Sequence, residues 1–492
     1  MEKNKNVEQV KVLIINPPRF NGQNVRRDER CADILPIEVS PFYEGAVFAQ
    51  YLREKHGAIV DVLDANGLDL DFLAVDSWIK DRQNYNYLIV KAADDTLFHD
   101  IIVGQIAKKY NLITFLWEPI LSPALPERVL REVNKEKRAI DYLILCEAEV
   151  TFGDFLLYGD SAHGLALFKD GEFIMNQRTE NERLTDLDTL PIPNFHDLPI
   201  DRYQAWWGEK PWMTLFTSRG CINTCSYCLI GGSTVSRGYG RCIRLQSPER
   251  IFQEVNILIS EFKVKHITFW DDCFTLSRDR VVKFCNLVIE NDLHFSWSCM
   301  SKASLIDEEL IILMKKAGLT RIGFGVESGS QKILDSIPKK ITVQQNMEAI
   351  KMCHRHGLWV WIFLIVGLPE EDWSTVKDTI HFIKESKPDY LFSGCATPFP
   401  GTAYYDQCVR DKLFDGDIFS IITREAMSTG SQARVRSKYL SEADLKKAEL
   451  LIYRAFLFSS FKVIISKIKE KKNKLNIACH NVGQARFARR RT

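Results

Sequence analysis

The chain has 492 residues, and its 65 basic and 64 acidic side chains leave a formal net charge of +1. This balance provides no overall electrostatic attraction to nucleic acid or to an anionic surface. Apolar residues make up 46% of the chain and charged residues 26%, a composition typical of globular proteins and not of disordered ones. The length corresponds to about three domains.

Targeting and redox features predict a protein without a transmembrane segment in a reducing compartment. The polar amino-terminal stretch is not followed by the apolar core of a signal peptide. The longest apolar run, 358–368, is shorter than the roughly 18 residues that a membrane helix needs. The 13 cysteines do not form the dense pattern of a secreted disulfide scaffold. We therefore expect a cytoplasmic protein whose thiols are available as metal ligands.

The first 155 residues alternate short aliphatic runs with helical patterns. The amphipathic segment 43–56 ends at Gly57, and a second helix is predicted over 123–133. Strands that alternate with helices imply parallel pairing in an open α/β sheet. The strands of this sheet are predicted at 12–15, 59–63, 87–90, 112–116 and 140–146.

A proline-rich and aromatic stretch, 156–208, is predicted to be a linker, and a second α/β series occupies 209–402. It fits either a doubly wound sheet or a partial barrel of six βα units, and both folds carry function at the carboxyl ends of their strands. Residues 403–492 are expected to be helical, with a helix over 441–456 and a flexible basic tail. The six strands are predicted at 212–217, 265–270, 295–299, 321–326, 359–366 and 389–396.

Three cysteines with the spacing C-x3-C-x2-C directly follow the first strand of this second series. Cys221, Cys225 and Cys228 lie in one short segment, so their thiolates are able to converge. Soft thiolates favour zinc, copper(I) or an iron–sulfur cluster. Structural zinc usually has four protein ligands, and no fourth ligand lies nearby in the sequence. Three thiolates suit a [4Fe–4S] cluster with one iron left open.

The motif resembles the signature of the radical S-adenosylmethionine (SAM) superfamily, including the aromatic Tyr227 before the third cysteine. The resemblance implies a partial (β/α)6 TIM-type barrel whose cysteine loop follows the first strand. It also implies that SAM chelates the open iron and that an electron from the cluster cleaves SAM to methionine and a 5′-deoxyadenosyl radical. Tyr227 is similar to the aromatic residue that lies near the adenine of SAM.

Other strand ends carry further candidates for SAM contacts. Asp271 and Asp272 follow the second strand, where the family places contacts to the SAM amine; a helix cap or turn is the alternative. Gly325 and Glu327 end the fourth strand and resemble the family's glycine-bearing segment before a SAM-binding glutamate; a helix-entry loop is the alternative. No catalytic residue is assigned beyond the cluster.

The amino-terminal series resembles the flavodoxin-like, Rossmann-like cobalamin-binding domain of one radical SAM subgroup. The similarity rests on 16–18, 123–127 and 146–149, and it implies cobalamin as a further cofactor. The motif Asp-x-His-x-x-Gly is absent, so cobalt would bind without that histidine. Leu116-Trp117-Glu118-Pro119 stands where the family has a glycine-rich stretch.

The resemblance implies a radical SAM enzyme, with methyl transfer to an unactivated carbon of a small metabolite as the first hypothesis. Oxidative cyclisation or rearrangement without methyl transfer, as in anaerobic magnesium-protoporphyrin cyclase, is the second. A non-catalytic iron–sulfur or electron-transfer protein is the alternative from another class. The expected partners are a small-molecule substrate and a reductant such as flavodoxin or ferredoxin. No nucleic acid is expected, because the further cysteines of the methylthiotransferase branch are lacking.

Overall fold

The computed structural model describes residues 9–28, 32–35, 37–179, 182–231, 242–423 and 435–459. Two sheets dominate the fold: a mixed seven-stranded amino-terminal sheet and a parallel six-stranded sheet in the second half. The basic segments 462–474 and 489–492 lie outside the described residues, as does most of the expected carboxy-terminal tail. No helix in the described ranges is long and apolar enough to cross a membrane.

The described residues of the amino-terminal half contain nine strands and eight α-helices. Its strands are β1 (Lys11–Asn16), β2 (Asn24–Arg27), β3 (Ala32–Leu35), β4 (Ile59–Asp64), β5 (Tyr87–Lys91), β6 (Ile113–Trp117), β7 (Tyr142–Ile144), β8 (Leu165–Lys169) and β9 (Glu172–Asn176). Its helices are α1 (Tyr43–His56), α2 (Ala65–Leu68), α3 (Phe72–Lys80), α4 (Leu97–Asp100), α5 (Ile102–Lys108), α6 (Leu121–Ala124), α7 (Pro126–Val133) and α8 (Ala148–Tyr158).

The sheet order β4-β1-β5-β6-β7-β8-β9 confirms the flavodoxin-like prediction. Its five parallel strands, taken in chain order, lie in the order 2-1-3-4-5, which is the flavodoxin-like arrangement. The order reverses between β1 and β5, so the ligand crevice of such a sheet lies at the carboxyl ends of these two strands. Strand β1 is fully buried from Val12 to Ile15, as the continuous aliphatic run predicts.

The segment expected to be a linker contains a hairpin that extends this sheet. Strand β8 pairs antiparallel with β7, and β9 pairs antiparallel with β8. Asp170 and Gly171 form the two-residue turn with φ of +52° and +87°. An Asp-Gly pair with positive φ at both residues is the preferred hairpin connection. Residues 165–176 therefore belong structurally to the amino-terminal sheet.

In the second half, the part of the chain that the structure describes contains eight strands and nine α-helices. Its strands are β10 (Trp212–Leu215), β11 (Ser218–Arg219), β12 (Arg244–Leu245), β13 (His266–Phe269), β14 (Ser296–Ser301), β15 (Leu319–Glu327), β16 (Trp359–Val366) and β17 (Tyr390–Cys395). Its helices are α9 (Pro248–Ser260), α10 (Arg278–Glu290), α11 (Glu308–Lys316), α12 (Gln331–Ser336), α13 (Val343–Arg355), α14 (Trp373–Ser386), α15 (Ala403–Arg410), α16 (Ile418–Ile422) and α17 (Glu442–Ser459).

Six strands of this half form a parallel half-barrel in the order β10-β13-β14-β15-β16-β17. Each strand neighbours the next one in the chain, which confirms the partial barrel over the doubly wound alternative. Strand β16 shows why the barrel has two faces: Val360, Ile362 and Leu364 are at most 3% exposed and belong to the core shared with the helices. The alternate residues point to the concave side, because successive side chains in a strand face opposite ways.

Candidate functional site

The cysteine motif lies at the carboxyl end of the first barrel strand. Strand β10 ends at Leu215, and the short strand β11 follows just before Cys221. Strand β11 pairs antiparallel with β12, with Arg219 opposite Arg244. The chain between these two strands therefore leaves and returns at one point on the barrel rim, where partial barrels of this kind carry their function.

Asp271, at the end of β13, organises the turn that leads to the cysteines. Its Oδ1 accepts hydrogen bonds from the backbone N–H of Thr217 at 2.6 Å and of Ser218 at 2.8 Å. Its Oδ2 accepts the Thr217 hydroxyl at 2.5 Å and lies 3.6 Å from the Arg280 guanidinium. Sequence analysis proposed Asp271 for the SAM amine, and the structure directs both oxygens at the protein's own turn. The neighbouring Asp272 is half-buried beside Cys221.

The three thiols lie near one another, and two of them receive hydrogen bonds from the loop. The Asn223 side chain donates to Cys221 Sγ at 3.6 Å, and the Ile230 N–H donates to Cys228 Sγ at 3.4 Å. Burial raises the pKa of Cys225 to about 12, although Lys339 acts in the opposite direction. N–H groups aimed at sulfur are a recognised means of tuning iron–sulfur clusters. The donor set therefore fits a cluster held by three thiolates.

The spacing of these thiols differs from that of a site for one ion. Among the described residues, no three His, Cys, Asp or Glu side chains lie close enough together to hold a single metal ion. Cysteines that bind a [4Fe–4S] cluster each ligate a different iron, so they need not crowd around one atom.

Tyr227 and Glu327 meet beside the cysteines. Burial, followed by the charge of Glu327, raises the pKa of Tyr227 well above its usual value. Glu327 is 7% exposed and has φ of +64°, next to a register shift in the pairing of β15 with β16. A positive φ at a residue with a side chain is strained, and such strain concentrates at functional sites. Two candidates from distant parts of the sequence are therefore brought together.

Lys339 is a buried partner of Glu327 that sequence analysis missed. Its ammonium group forms an ion pair with Glu327 Oε1 and donates to the backbone oxygen of Gly325 at 2.6 Å. A Cβ atom at Gly325 would lie 2.5 Å from both Lys339 Nζ and Glu327 Oε1. The glycine predicted to allow close approach therefore makes room for this ion pair. No motif marks Lys339, which lies in the loop after α12.

Lys302 is a second missed cation at this rim. It follows directly on β14, and its Nζ donates to Asn223 Oδ1 at 2.9 Å and to the Lys339 backbone oxygen at 2.7 Å. It is thus connected through Asn223 to Cys221. Its position at a strand end was the available sequence signal, because barrel enzymes place functional residues there.

Buried ion pairs join the amino-terminal domain to the segment before the cysteines. Glu147, after β7, binds Arg219 at 2.9 Å and Arg244 at 2.5 Å. Glu149 binds Arg219 at 2.5 Å. Burial alone would raise the pKa of Glu147, but the two arginines outweigh it and hold that pKa below its usual value. The segment 146–149, on which part of the resemblance to the cobalamin-binding domain rests, therefore contacts the barrel two residues before Cys221.

The departure from the family's glycine-rich stretch is absorbed by the core. The Trp117 ring packs 5.5 Å from Phe48, and the Lys91 ammonium lies 3.8 Å from its centroid. Glu118 accepts the backbone N–H groups of Ile120 at 2.8 Å and Ser122 at 2.6 Å. Trp117 and Glu118 thus build the wall and the following turn of the amino-terminal sheet.

Two buried asparagines near the crevice of this sheet each have one amide atom without a partner among the described residues. The unpaired atoms are Asn24 Oδ1 and Asn66 Nδ2, and Asn66 Oδ1 accepts the N–H of Val25 at 2.9 Å. An unpaired buried amide is costly, and a bound polar molecule removes that cost. These residues fit a ligand with polar groups, such as the side chains and tail of cobalamin.

Comparison with known proteins agrees with this geometry. Residues 215–383 match the radical SAM superfamily. An uncharacterized methyltransferase of Pyrococcus horikoshii is 31% identical over 375 residues, which cover 75% of this chain and 78% of the relative. The anaerobic magnesium-protoporphyrin IX monomethyl ester cyclase of Rubrivivax gelatinosus is 29% identical over 327 residues, which cover 63% of this chain and 57% of the cyclase.

A solved structure shares both halves of the fold. The radical SAM methyltransferase TsrM of Kitasatospora setae, with cobalamin and a [4Fe–4S] cluster bound, gives a TM-score of 0.62 at 14% identity, covering 82% of this chain and 78% of TsrM. This likeness is one of fold alone. Because a relative is 31% identical over three quarters of both chains, the chain belongs to the radical SAM superfamily, which implies SAM and a [4Fe–4S] cluster as its cofactors.

Proposed function

We propose that this protein is a cobalamin-dependent radical SAM methyltransferase that acts on an unactivated carbon of a small molecule. The observation that carries the proposal is the meeting of three cysteine thiols with Tyr227 and Glu327 on the barrel rim. The methyltransferase among its relatives and the cobalamin bound to TsrM support the finer assignment.

Cys221, Cys225 and Cys228 would hold the cluster, and the N–H donors from Asn223 and Ile230 would stabilise their thiolates. When bound, the cluster supplies the electron that splits SAM into methionine and a 5′-deoxyadenosyl radical. A reducing compartment such as the cytoplasm would keep the thiols available.

The SAM-facing roles divide among the residues of the rim. Tyr227 would flank the adenine, and Asp272 and Glu327 would accept hydrogen bonds from the ammonium group or ribose of SAM. Gly325 would act indirectly, because its missing side chain leaves room for the ion pair of Glu327 and Lys339. Asp271 would not contact SAM and would instead position Cys221, by holding the turn at Thr217 and Ser218.

Methyl transfer of this kind consumes two SAM molecules and two electrons for each methyl group. One SAM gives up its methyl group and becomes S-adenosylhomocysteine. The other takes one electron and yields methionine and the radical, which removes one hydrogen atom from the substrate and becomes 5′-deoxyadenosine. The second electron would return the bound cobalamin, which carries the methyl group, to the state that accepts the next one. A flavodoxin or ferredoxin would deliver both electrons.

Two alternatives make different predictions about products. A ring-forming enzyme, suggested by the likeness to the Rubrivivax gelatinosus cyclase, would form 5′-deoxyadenosine without S-adenosylhomocysteine. A non-catalytic iron–sulfur protein would form neither product.

The test uses anaerobically purified, cluster-reconstituted protein with SAM, a strong reductant and cobalamin. We expect 5′-deoxyadenosine by mass spectrometry, and its loss in Cys225→Ala but not in the buried-cysteine control Cys353→Ala. A corrin spectrum that stays with the protein on gel filtration, together with S-adenosylhomocysteine, supports methyl transfer. An intact cluster that yields no 5′-deoxyadenosine under several reductants would overturn the proposal.

A further inference from the structure

The hairpin of β2 and β3 lies between the amino-terminal sheet and the barrel. Successive side chains of a strand point to opposite faces, so the two faces of β2 have different neighbours. On the first face, Val25 joins a small apolar cluster with Ala93, which follows β5. Arg27 on the same face binds the buried carboxylate of Asp100 at 2.7 Å. This face of the hairpin therefore covers the carboxyl end of β5.

The second face of β2 is turned to the barrel. The Arg26 guanidinium on this face lies 4.8 Å from the centre of the Trp270 ring, at the end of β13. Asn24, two residues earlier in the same strand, shares the face with Arg26. Arg26 forms an ion pair with Glu38, and these three residues of the amino-terminal domain are at most 9% exposed. The layer between the hairpin and the end of β13 is therefore buried and polar.

Three hydrogen-bonding atoms in this layer have no partner among the described residues. They are the acceptors Asn24 Oδ1 and Glu38 Oε2 and the buried indole N–H of Trp270. The Glu38 carboxylate shows the imbalance most clearly, because Arg26 Nε at 3.0 Å and the Ser40 hydroxyl at 2.5 Å both donate to Oε1. Buried polar atoms nearly always have a partner, so atoms left unpaired indicate water or a bound ligand.

These unpaired atoms specify the chemistry of a ligand. Two acceptors and one donor require a ligand that carries both N–H groups and an oxygen or nitrogen acceptor. A primary carboxamide has two N–H donors and a carbonyl oxygen. A carboxylate has acceptors only, and its charge would be repelled by the carboxylate of Glu38. The layer therefore favours an amide over the corresponding acid.

The adenine of SAM offers similar groups, but the residues proposed for SAM place it elsewhere on the rim. Tyr227, proposed to flank adenine, lies on the cysteine loop beside Glu327 of β15, and β14 separates β15 from β13. Asn24 and Glu38, which supply the two unpaired acceptors, belong to the amino-terminal domain. TsrM, a cobalamin-bound protein, shares the fold of that domain. An amide-bearing ligand of the amino-terminal domain is therefore the better match.

We propose that Asn24, Glu38 and Trp270 bind primary carboxamide groups at the edge of the corrin ring of cobalamin. This inference rests on the proposed function, since it names the groups through which this chain would recognise that cofactor. Asn24 Oδ1 and Glu38 Oε2 would accept amide N–H groups, and the indole of Trp270 would donate to an amide oxygen. Because Arg26 connects Glu38 to Trp270, both domains would hold the same edge of the cofactor.

The test measures dissociation constants by equilibrium dialysis with the full-length, cluster-reconstituted protein. The ligands are hydroxocobalamin and its b-, d- and e-monocarboxylic acids, in each of which one amide is replaced by a carboxylate. We expect at least one acid to bind about tenfold more weakly than hydroxocobalamin, because a carboxylate cannot donate to Glu38 and is repelled by it. Equal affinity for the amide and all three acids would overturn the inference.

Two conservative variants locate the effect. Trp270→Phe keeps a ring beside Arg26 and removes the N–H, so it should weaken hydroxocobalamin binding about fivefold. Trp78→Phe is its matched control, because Arg82 lies 4.0 Å from the Trp78 ring on α3. Glu38→Gln places a neutral amide in the layer and should reduce the penalty for the weakly bound acid about threefold or more. Glu54→Gln, exposed on α1, should leave that penalty unchanged.

The remaining outcomes separate this inference from the proposed function. Unchanged corrin affinities in both Trp270→Phe and Glu38→Gln would mean that the unpaired atoms hold water only. Weaker SAM binding in Trp270→Phe, with hydroxocobalamin affinity unchanged, would assign the indole N–H to SAM. Either result would overturn the amide site and leave cobalamin dependence standing. A wild-type protein that binds none of the four corrins would instead overturn cobalamin dependence itself, and the amide site with it.

Discussion

The carboxylate of Asp271 accepts the backbone N–H of Ser218 at 2.8 Å, three residues before the first cysteine of the motif. The contact joins the end of the second barrel strand to the beginning of the cysteine loop. It is buried, and the same carboxylate also holds Thr217. Asp271 therefore controls the place at which Cys221 leaves the barrel.

Removing this contact should loosen the cluster site. Asp271→Ala leaves two backbone donors and the Thr217 hydroxyl without their acceptor, at a cost of about 1–3 kcal/mol for each unsatisfied group. We expect iron and sulfide content after anaerobic reconstitution to fall at least threefold. Asp279→Ala, an exposed aspartate on α10, should retain full content. Normal content in Asp271→Ala would show that the turn forms without this carboxylate.

The pair of Lys339 and Glu327 should show strong energetic coupling. Lys339→Met leaves the buried carboxylate unpaired, and breaking such a pair costs about 3–5 kcal/mol. Adding Glu327→Gln removes the unpaired charge, so the double variant should recover more than half of that loss. Denaturant unfolding of the four proteins in this cycle measures the coupling. Lys340→Met, at the exposed neighbouring lysine, should change stability by less than about 0.5 kcal/mol. Additive effects of the two substitutions would contradict direct pairing.

Lys302 should raise the reduction potential of the bound cluster. Its ammonium group contacts Asn223, which donates to Cys221, and a nearby positive charge favours the reduced and more negative cluster. Lys302→Met should lower the midpoint potential by tens of millivolts. This shift corresponds to an interaction energy on the order of 1 kcal/mol, which is the Coulomb energy of a unit charge at this range when the effective dielectric constant is near 20. Redox titration followed by electron paramagnetic resonance measures the shift. Lys316→Met, exposed on α11, is the control, and an equal shift there would contradict a local effect.

Glu371 should make stability depend on pH. Burial raises the pKa of Glu371 from 4.5 to about 7, although it accepts the N–H of Gly367 at 2.9 Å. Between these two pH values the folded chain keeps a proton that the unfolded chain has released, so the free energy of unfolding falls as pH rises through this window. The loss amounts to about 3 kcal/mol and is complete above the folded-state pKa.

Glu371→Gln should remove this dependence, because glutamine stays neutral. The difference in unfolding free energy between variant and wild type should therefore grow in favour of the variant from pH 5 to pH 8, as measured by denaturant midpoints. Glu370→Gln, at the neighbouring and more exposed glutamate, should show a constant difference. A constant difference for Glu371→Gln as well would mean that the carboxyl group is already ionised at pH 5.

The sequence by itself determined the features that depend on short spacing. The aliphatic runs and their caps predicted the parallel strands, and the spacing of Cys221, Cys225 and Cys228 predicted a three-thiolate motif after the first barrel strand. These features are local, because a strand run or a loop motif needs only a few neighbouring residues. The hairpin at Asp170 and Gly171 is equally local, because an Asp-Gly pair between two strand runs is itself a hairpin signal in the sequence.

Tertiary structure alone decided which strand ends meet. Asp271 turns toward Ser218, and Lys339 reaches Glu327 and the backbone of Gly325, across separations that no spacing rule covers. The physical reason is that a parallel barrel collects residues from six distant segments on one rim, and a buried charge must find its partner there. The stacking of Phe363 on Phe392 arose in the same way, because the register of β16 and β17 places the two residues opposite each other.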